Sequence, residues 1–231
     1  VARTAVSSWL ADTAARIAGV PVDVAPMPVD LGPLAVSQGS TTAQEESRRG
    51  VLFVGRLNAQ KGLADLLDAL ALLNAQTLTL DVVGDGPDAG ALYARAEALG
   101  VSTRVTWHGH LSQQELLPRY ARARVVAMPS RGEGLGLVAV EAQLAGTPVV
   151  AYAEDGLLDV VDPAHGGTLV PVGDIPALAT ALARVANADS PDRERMRQFV
   201  LQRFAPESVA ARYLALYDKA RPGRLQESAD R

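Results

Sequence analysis

The sequence predicts an α/β protein with a Rossmann-like, doubly wound parallel sheet of about six strands and helices on both faces. Three observations carry this. From Val51 onward, short apolar runs alternate six times with longer segments of helical period. The runs are continuously apolar, as at 51–54 (Val-Leu-Phe-Val) and 125–128 (Val-Val-Ala-Met). A strand covered by helices on both faces needs that composition. Glycine and proline sit at the joints, as in Gly84-Asp-Gly-Pro87 and Gly146-Thr-Pro148.

The elements follow in order. Ser7 or Ser8 caps a helix through about Ala18, stopped by Gly19 and Pro21. Residues 22–25 form a short strand and 26–30 a rigid, extended stretch. Residues 31–50 are polar and without period, a linker or mobile loop. Strand 51–54 leads to helix 62–73, whose Leu63, Leu66, Leu67, Leu70 and Leu73 share one stripe. Strand 78–83 and helix 88–99 come next, with Pro87 near the helix's first turn. Then come strand 104–107, helix 112–122 and strand 125–128. A Gly-rich turn, a short apolar helix and a strand from Val149 occupy 130–151. Strand 168–170 and helices 175–186, 191–204 and 206–220 complete the pattern, before a loose polar tail. The organisation is a leading piece of another unit (1–30), a linker (31–50), the α/β domain (51–221) and a tail (222–231).

Composition excludes several functions. The 231 residues are 48% hydrophobic, enough for one good core, and the net charge of −4 gives no basic surface for nucleic acid. There is no cysteine, so disulfides and thiolate metal sites are absent. His108 and His110 alternate at strand spacing and point to opposite faces, which argues against a shared metal. No apolar run is long enough to span a bilayer, and Arg3, Asp12 and Arg16 interrupt any signal-peptide pattern. A cytoplasmic location is expected.

Parallel sheets bind ligands beyond the carboxyl ends of their strands, and three motifs fall there. Gly55-Arg-Leu-Asn-Ala-Gln-Lys-Gly62 follows the first strand of the domain. Arg56 offers a bidentate fork for phosphate and Lys61 a point charge, although two exposed loop cations would look the same. Glu133-Gly-Leu-Gly-Leu137 leads into a helix carrying Glu141. The glycines leave backbone N–H groups open, and the helix start adds its positive dipole end. Glu133 reads either as a solvated loop acid or as a ligand carboxylate. Glu141 stands among Val138, Ala139, Val140, Ala142 and Leu144, where a carboxylate is costly unless hydrogen-bonded. Gly84-Asp-Gly-Pro-Asp-Ala89 fits the dinucleotide fingerprint only weakly, since it follows the second strand of the domain and lacks the acid about twenty residues on. It reads as a tight turn. The chain has no Asp-x-Asp, so a diphosphate held through a metal is not expected.

These motifs resemble the nucleotide-sugar-binding half of the retaining glycosyltransferases of family four, which have the GT-B fold. The resemblance rests on Gly-Arg-Leu-x4-Lys-Gly at 55–62, Val-Gly-Asp-Gly-Pro at 83–87 and Glu-Gly-x-Gly-Leu-Val-x-x-Glu-Ala at 133–142. Ala-Gly-x-Pro-Val-Val-Ala at 145–151 and Leu-Val-Pro-x-Gly-Asp at 169–174 continue it. It implies a donor substrate, a nucleotide-diphosphate sugar, with no further cofactor and no metal. Gly55, Arg56 and Lys61 would hold the diphosphate, Glu133 would meet the sugar hydroxyls and Glu141 the ribose. The backbone of Gly134, Leu135, Gly136 and Leu137 would help hold sugar and phosphate. Arg56, Lys61 and Glu133 would act in catalysis. Two departures stand out: Leu135 replaces the usual aromatic, and Asp159 replaces the glutamate of the Gly-Gly-x-x-Glu turn. The resemblance covers about residues 50–215, so the acceptor-binding domain is expected to be missing, and any peripheral membrane contact would run through it. Two readings from other classes share these motifs: a nucleotide-sugar-binding module without catalysis, and a GT-B-like nucleotide-sugar 2-epimerase.

Overall fold

The computed structural model describes residues 2–29, 48–73, 78–188 and 192–220. The expected linker, up to residue 47, and the expected loose tail lie outside these described residues. The elements are β1 (Thr4–Ala5), α1 (Ser8–Ala18), β2 (Asp23–Val24), β3 (Arg49–Val54), α2 (Leu63–Leu72), β4 (Leu80–Val83) and α3 (Ala89–Ala98). They continue with β5 (Val105–Trp107), α4 (Gln113–Arg122), β6 (Ala123–Met128), α5 (Leu137–Leu144), β7 (Val149–Tyr152) and α6 (Leu157–Val160). The last are β8 (Thr168–Val170), α7 (Ile175–Ala186), α8 (Arg193–Phe204) and α9 (Pro206–Ala220).

Local chemistry accounts for the boundaries. Ser7 caps α1 by accepting the Leu10 N–H, and Gly19 ends the helix in the left-handed region. Ser112 and Glu115 form a reciprocal capping box at the start of α4. Asp174 caps α7, with Pro176 in its first turn. On α2, Leu63, Leu66, Leu67 and Leu70 are buried together, as their spacing predicts.

Strands β3 to β8 form one parallel sheet in the order β5-β4-β3-β6-β7-β8. Successive side chains face opposite layers. Val51, Phe53, Val125, Ala127, Val150 and Tyr152 pack with α2, α3 and α7. Leu52, Val126, Met128, Val149 and Ala151 pack with α4, α5, α6 and α8. Both faces are therefore covered, which is why the strands read as unbroken apolar runs.

Strand order decides where a ligand can enter. From β3 the chain winds outward through β4 to β5, then returns to β6 on the other side of β3. The helices after β3 and after β6 consequently lie on opposite faces, and a crevice opens between the loops that lead to them.

The structure differs from the expectation at element ends, as where β6 begins at Ala123 and β4 at Leu80, and in its shortest elements. β3 begins at Arg49, two residues early, because the Arg49 level already pairs with Ala123 of β6. The expected strand at 22–25 is only Asp23–Val24, and it pairs in parallel with β1, which has too few residues for a period. The four-residue α6 is likewise below the length at which periodicity speaks.

Candidate active site

The crevice is built from two loops, each locked by glycine. After β3, the Gly55 N–H donates to the Val83 carbonyl at 3.0 Å and the Leu57 N–H to the Asp85 carbonyl at 2.9 Å. A Cβ at Gly84 would lie 1.9 Å from the Gly55 carbonyl oxygen, and one at Gly86 2.3 Å from that of Leu57. The Gly-Asp-Gly-Pro turn thus buttresses the 55–57 loop backbone against backbone, a role for which only glycine leaves room. Asn58 then caps a single 3-10 turn, Ala59–Lys61. Gly62 closes it at φ 71°, where a Cβ would strike the Pro129 carbonyl at 1.9 Å. This contact presses the start of α2 against the end of β6.

The Gly-rich turn after β6 is fastened from both sides. The Arg131 N–H donates to the Gln60 carbonyl at 2.7 Å, and Gln60 Nε2 donates to the Gly132 carbonyl at 2.8 Å. The Gly156 N–H donates to the Glu133 carbonyl at 2.9 Å. Gly136 ends the turn at φ 91° and begins α5 with no side-chain cap. The uncapped helix start favours an anion, through open N–H groups and the macrodipole.

Lys61 and Glu133 meet in this crevice. Nζ stands 2.5 Å from Oε2, with the two side chains 25% and 16% exposed. They line a cleft of about 400 Å³ together with Gly55, Ser130, Gly134 and Gly136. Leu135 and Leu137 line it as well, Leu135 being 5% exposed and rooted in the core beside Met128 and Leu157. The aliphatic side chain in place of an aromatic is therefore a core anchor for the turn.

Arg56 and Glu141 are placed apart from this pair. Arg56 is exposed, between Gly55 in the cleft wall and buried Leu57, and it does not line the cleft. Glu141 lies on the second turn of α5, and its Oε2 accepts the Tyr120 hydroxyl at 2.7 Å. Burial raises the Glu141 pKa above the ordinary carboxylate value, and the Tyr120 hydrogen bond pulls the other way. The Tyr120 hydroxyl is pushed up, by burial first and by the Glu141 charge second. The hydrogen-bond partner that the apolar surroundings of Glu141 called for is thus Tyr120.

Residue patterns did not reveal several supports of the site. Gln60 looked like any loop amide, and Tyr120 lies 21 residues before its carboxylate partner. Asp65 of α2 accepts from both Arg131 (2.7 Å) and the Tyr152 hydroxyl (2.6 Å), which ties the turn after β6 to α2 and β7. Each pair is joined by the fold and by no sequence spacing. Tyr152, the one polar group ending the apolar run 149–152, is the only such residue with a local signal.

Comparison with known proteins decides the family. A family profile described as "Glycosyl transferases group 1" matches residues 40–203. The chain belongs to the group 1 glycosyl transferases. The match runs from β3 into α8 and so includes both crevice loops. Among curated proteins, it is 34% identical over 172 residues to the 2-deoxystreptamine glucosyltransferase of Streptomyces kanamyceticus, covering 72% of this chain and 44% of that protein. It is 37% identical over 191 residues to the D-inositol 3-phosphate glycosyltransferase of Nocardioides sp., covering 74% and 42%. The chain thus spans less than half the length of these relatives. Among solved structures, the lipopolysaccharide outer core galactosyltransferase WaaB in its apo form matches with a TM-score of 0.80 at 23% identity, over 95% of this chain and 62% of that one. The Anabaena protein HepE in complex with UDP-glucose matches with a TM-score of 0.76 at 24% identity, over 94% and 62%. At these identities the structural likeness speaks for the GT-B fold.

Proposed function

We propose that this chain is the donor-binding half of a retaining glycosyltransferase of family four, taking its sugar from a nucleotide-diphosphate sugar without a metal. The observation that carries the reading is the Lys61–Glu133 pair at the switch-point crevice, facing the uncapped start of α5. A cation and a carboxylate side by side offer one group for a diphosphate and one for sugar hydroxyls. HepE, of like fold, is known in complex with UDP-glucose, which supports the same class of ligand.

In this reading the diphosphate draws Lys61 away from Glu133 and takes its place in the ion pair. A partly exposed pair of this kind is worth no more than about 1 kcal/mol, so the exchange costs little. A diphosphate oxygen about 4 Å from Lys61 gains about 4 kcal/mol at an effective dielectric near 20. The same interaction grows as the sugar–oxygen bond breaks and charge collects on the leaving diphosphate. Arg56, exposed and with no polar partner among the described residues, turns toward the diphosphate. Glu133, released, accepts from the sugar hydroxyls, and Glu141 accepts from the ribose beside Tyr120. An acceptor hydroxyl then replaces the diphosphate at the anomeric carbon with retention of configuration. The acceptor is supplied by a further domain, as the greater length of the relatives suggests.

The test is titration of UDP-glucose, GDP-mannose and ADP-glucose into the chain with and without chelator. Binding of one of them, unchanged by chelator, is expected. Binding of none, or binding that requires a divalent cation, overturns the reading.

A further inference from the structure

We infer that Asp159 is a positioning residue: it latches residues 2–29 over the cleft as a second wall, and that wall reads the sugar end of the donor. The inference rests on the donor reading above and adds to it a part of the chain outside the profile match.

Asp159 belongs to α6, three residues after Gly156, whose N–H holds the Glu133 carbonyl and whose Cα lies against the Gly134 backbone. Asp159 and the Glu133 turn therefore move as one body. Across the cleft, the Asp159 carboxylate grips the first residue of α1 with both oxygens. Oδ2 accepts the Ser8 N–H at 2.6 Å and Oδ1 accepts the Ser8 hydroxyl at 2.7 Å. Ser8 N–H is one of the helix-start donors that no carbonyl of α1 can satisfy, and a carboxylate there also meets the positive end of the helix. Buried Ser7 takes the Leu10 N–H, so two donors of the first turn have fixed partners.

The grip sets what faces the ligand. Leu10 is held so that its Cδ1 lies 3.5 Å from the place a Gly134 Cβ would occupy. Val6 and Met27 line the same cleft as Lys61 and Glu133. Apart from this grip, few polar contacts among the described residues hold the segment. The β1–β2 pair is a separate two-stranded sheet. Among the described residues, the segment's other polar ties to the domain are the Val29 N–H to the Phe204 carbonyl and an exposed Lys219–Asp23 ion pair, both on the side of α8 and α9. Residues 2–29 are thus anchored at α8 and α9 and latched at the cleft by Asp159. The wall they form lies beside Gly134 and lines the cleft with Glu133, while Glu141 is outside that lining, so in the donor reading the wall meets the sugar end. A longer glutamate arm keeps both acceptor oxygens.

The experiment measures hydrogen exchange of the full chain, free of ligand, for the parent, Asp159→Ala, Asp159→Asn and Asp159→Glu, together with affinities for UDP and UDP-glucose. In the Ala and Asn variants, amides of α1 are expected to exchange about tenfold faster, the lower end for a hydrogen bond to a charged group. The central strands β3 and β6 stay as protected as in the parent, and Asp159→Glu restores α1. UDP-glucose affinity falls about tenfold in the Ala and Asn variants, UDP affinity by less than about twofold, and Asp159→Glu recovers the difference. Unchanged exchange in α1, or protection lost equally from β3 and β6, overturns the latch. Equal losses for UDP and UDP-glucose overturn the sugar-reading wall. If the parent binds neither nucleotide, the donor reading and the wall's specificity fall together, and the ligand-free exchange alone decides the latch.

Discussion

Glu133 and Glu141 stand eight residues apart, and the fold treats them in opposite ways. Glu133 has a cation against it in the free chain, so its neutralisation also occupies Lys61. Glu133→Gln should then tighten binding of bare UDP by about 0.5–1 kcal/mol, the worth of the pair it abolishes, while weakening the preference for UDP-glucose over UDP. Calorimetry of both ligands checks the two signs at once. Among the described residues, Glu141 has only the Tyr120 hydroxyl as a hydrogen-bond partner, and its burial raises its pKa. The sign follows from linkage. A carboxyl whose folded pKa exceeds its unfolded value favours folding below the unfolded pKa. It loses that contribution as pH rises through the folded pKa. The ionised Glu141 is therefore a liability at neutral pH. Glu141→Gln, which keeps an acceptor for Tyr120, should raise Tm by about 2–4 °C at pH 7, the scale of 1 kcal/mol in a chain of this size. The gain should vanish on acidification to below the ordinary carboxylate range. A gain that persists in acid would show that charge burial is not its cause.

At the scale of elements, long periodic segments were legible because each buries a stripe or a face. The leucines of α2 and the unbroken runs of β3, β6 and β7 are where the sequence placed them. Legibility failed for the two-residue β1 and for α6, which are held by tertiary contacts and have no pattern of their own. The candidate site divides in the same way. The glycines, Lys61 and the two glutamates announced themselves by residue type and order. Their supports Gln60, Tyr120 and Asp65 did not, because each meets its partner across distant sequence, and Asp159 stood out as a departure without its partner Ser8 being legible. Gly62 is a case where an element boundary carries function. At φ 71° and with the Pro129 carbonyl in the way of any Cβ, Gly62→Ala must move α2 away from β6. It should lower stability by about 2–4 kcal/mol, as strain and overpacking combined, measured by urea unfolding. Ser112→Ala, which removes only the capping box of α4, should cost about 1 kcal/mol and leave UDP binding intact.

The whole molecule is a doubly wound sheet whose strand order opens a crevice between β3 and β6, and the loops at that crevice lie within the stretch that the family profile matches. Among the described residues, no helix is long and apolar enough to cross a membrane. The cleft is walled on one side by residues 2–29 and on the other by the Gly-rich turn, and in the donor reading the Lys61–Glu133 pair within it is taken up by the donor. The chain alone is therefore expected to bind donor and to transfer sugar at no useful rate, since positioning of the second reactant is worth several kcal/mol of barrier. A transfer assay comparing this chain with the same chain joined to an acceptor-binding domain checks that. The central claim, that Lys61 is poised for a diphosphate, has a more direct test in calorimetric titration of UDP, GDP and ADP and their nucleosides into the parent and Lys61→Ala. A diphosphate that binds the parent is expected to lose about 1.5–3 kcal/mol in the variant, the worth of a hydrogen bond to a charge, while its nucleoside binds both alike. Equal losses for nucleoside and diphosphate, or no diphosphate binding to the parent, would contradict it.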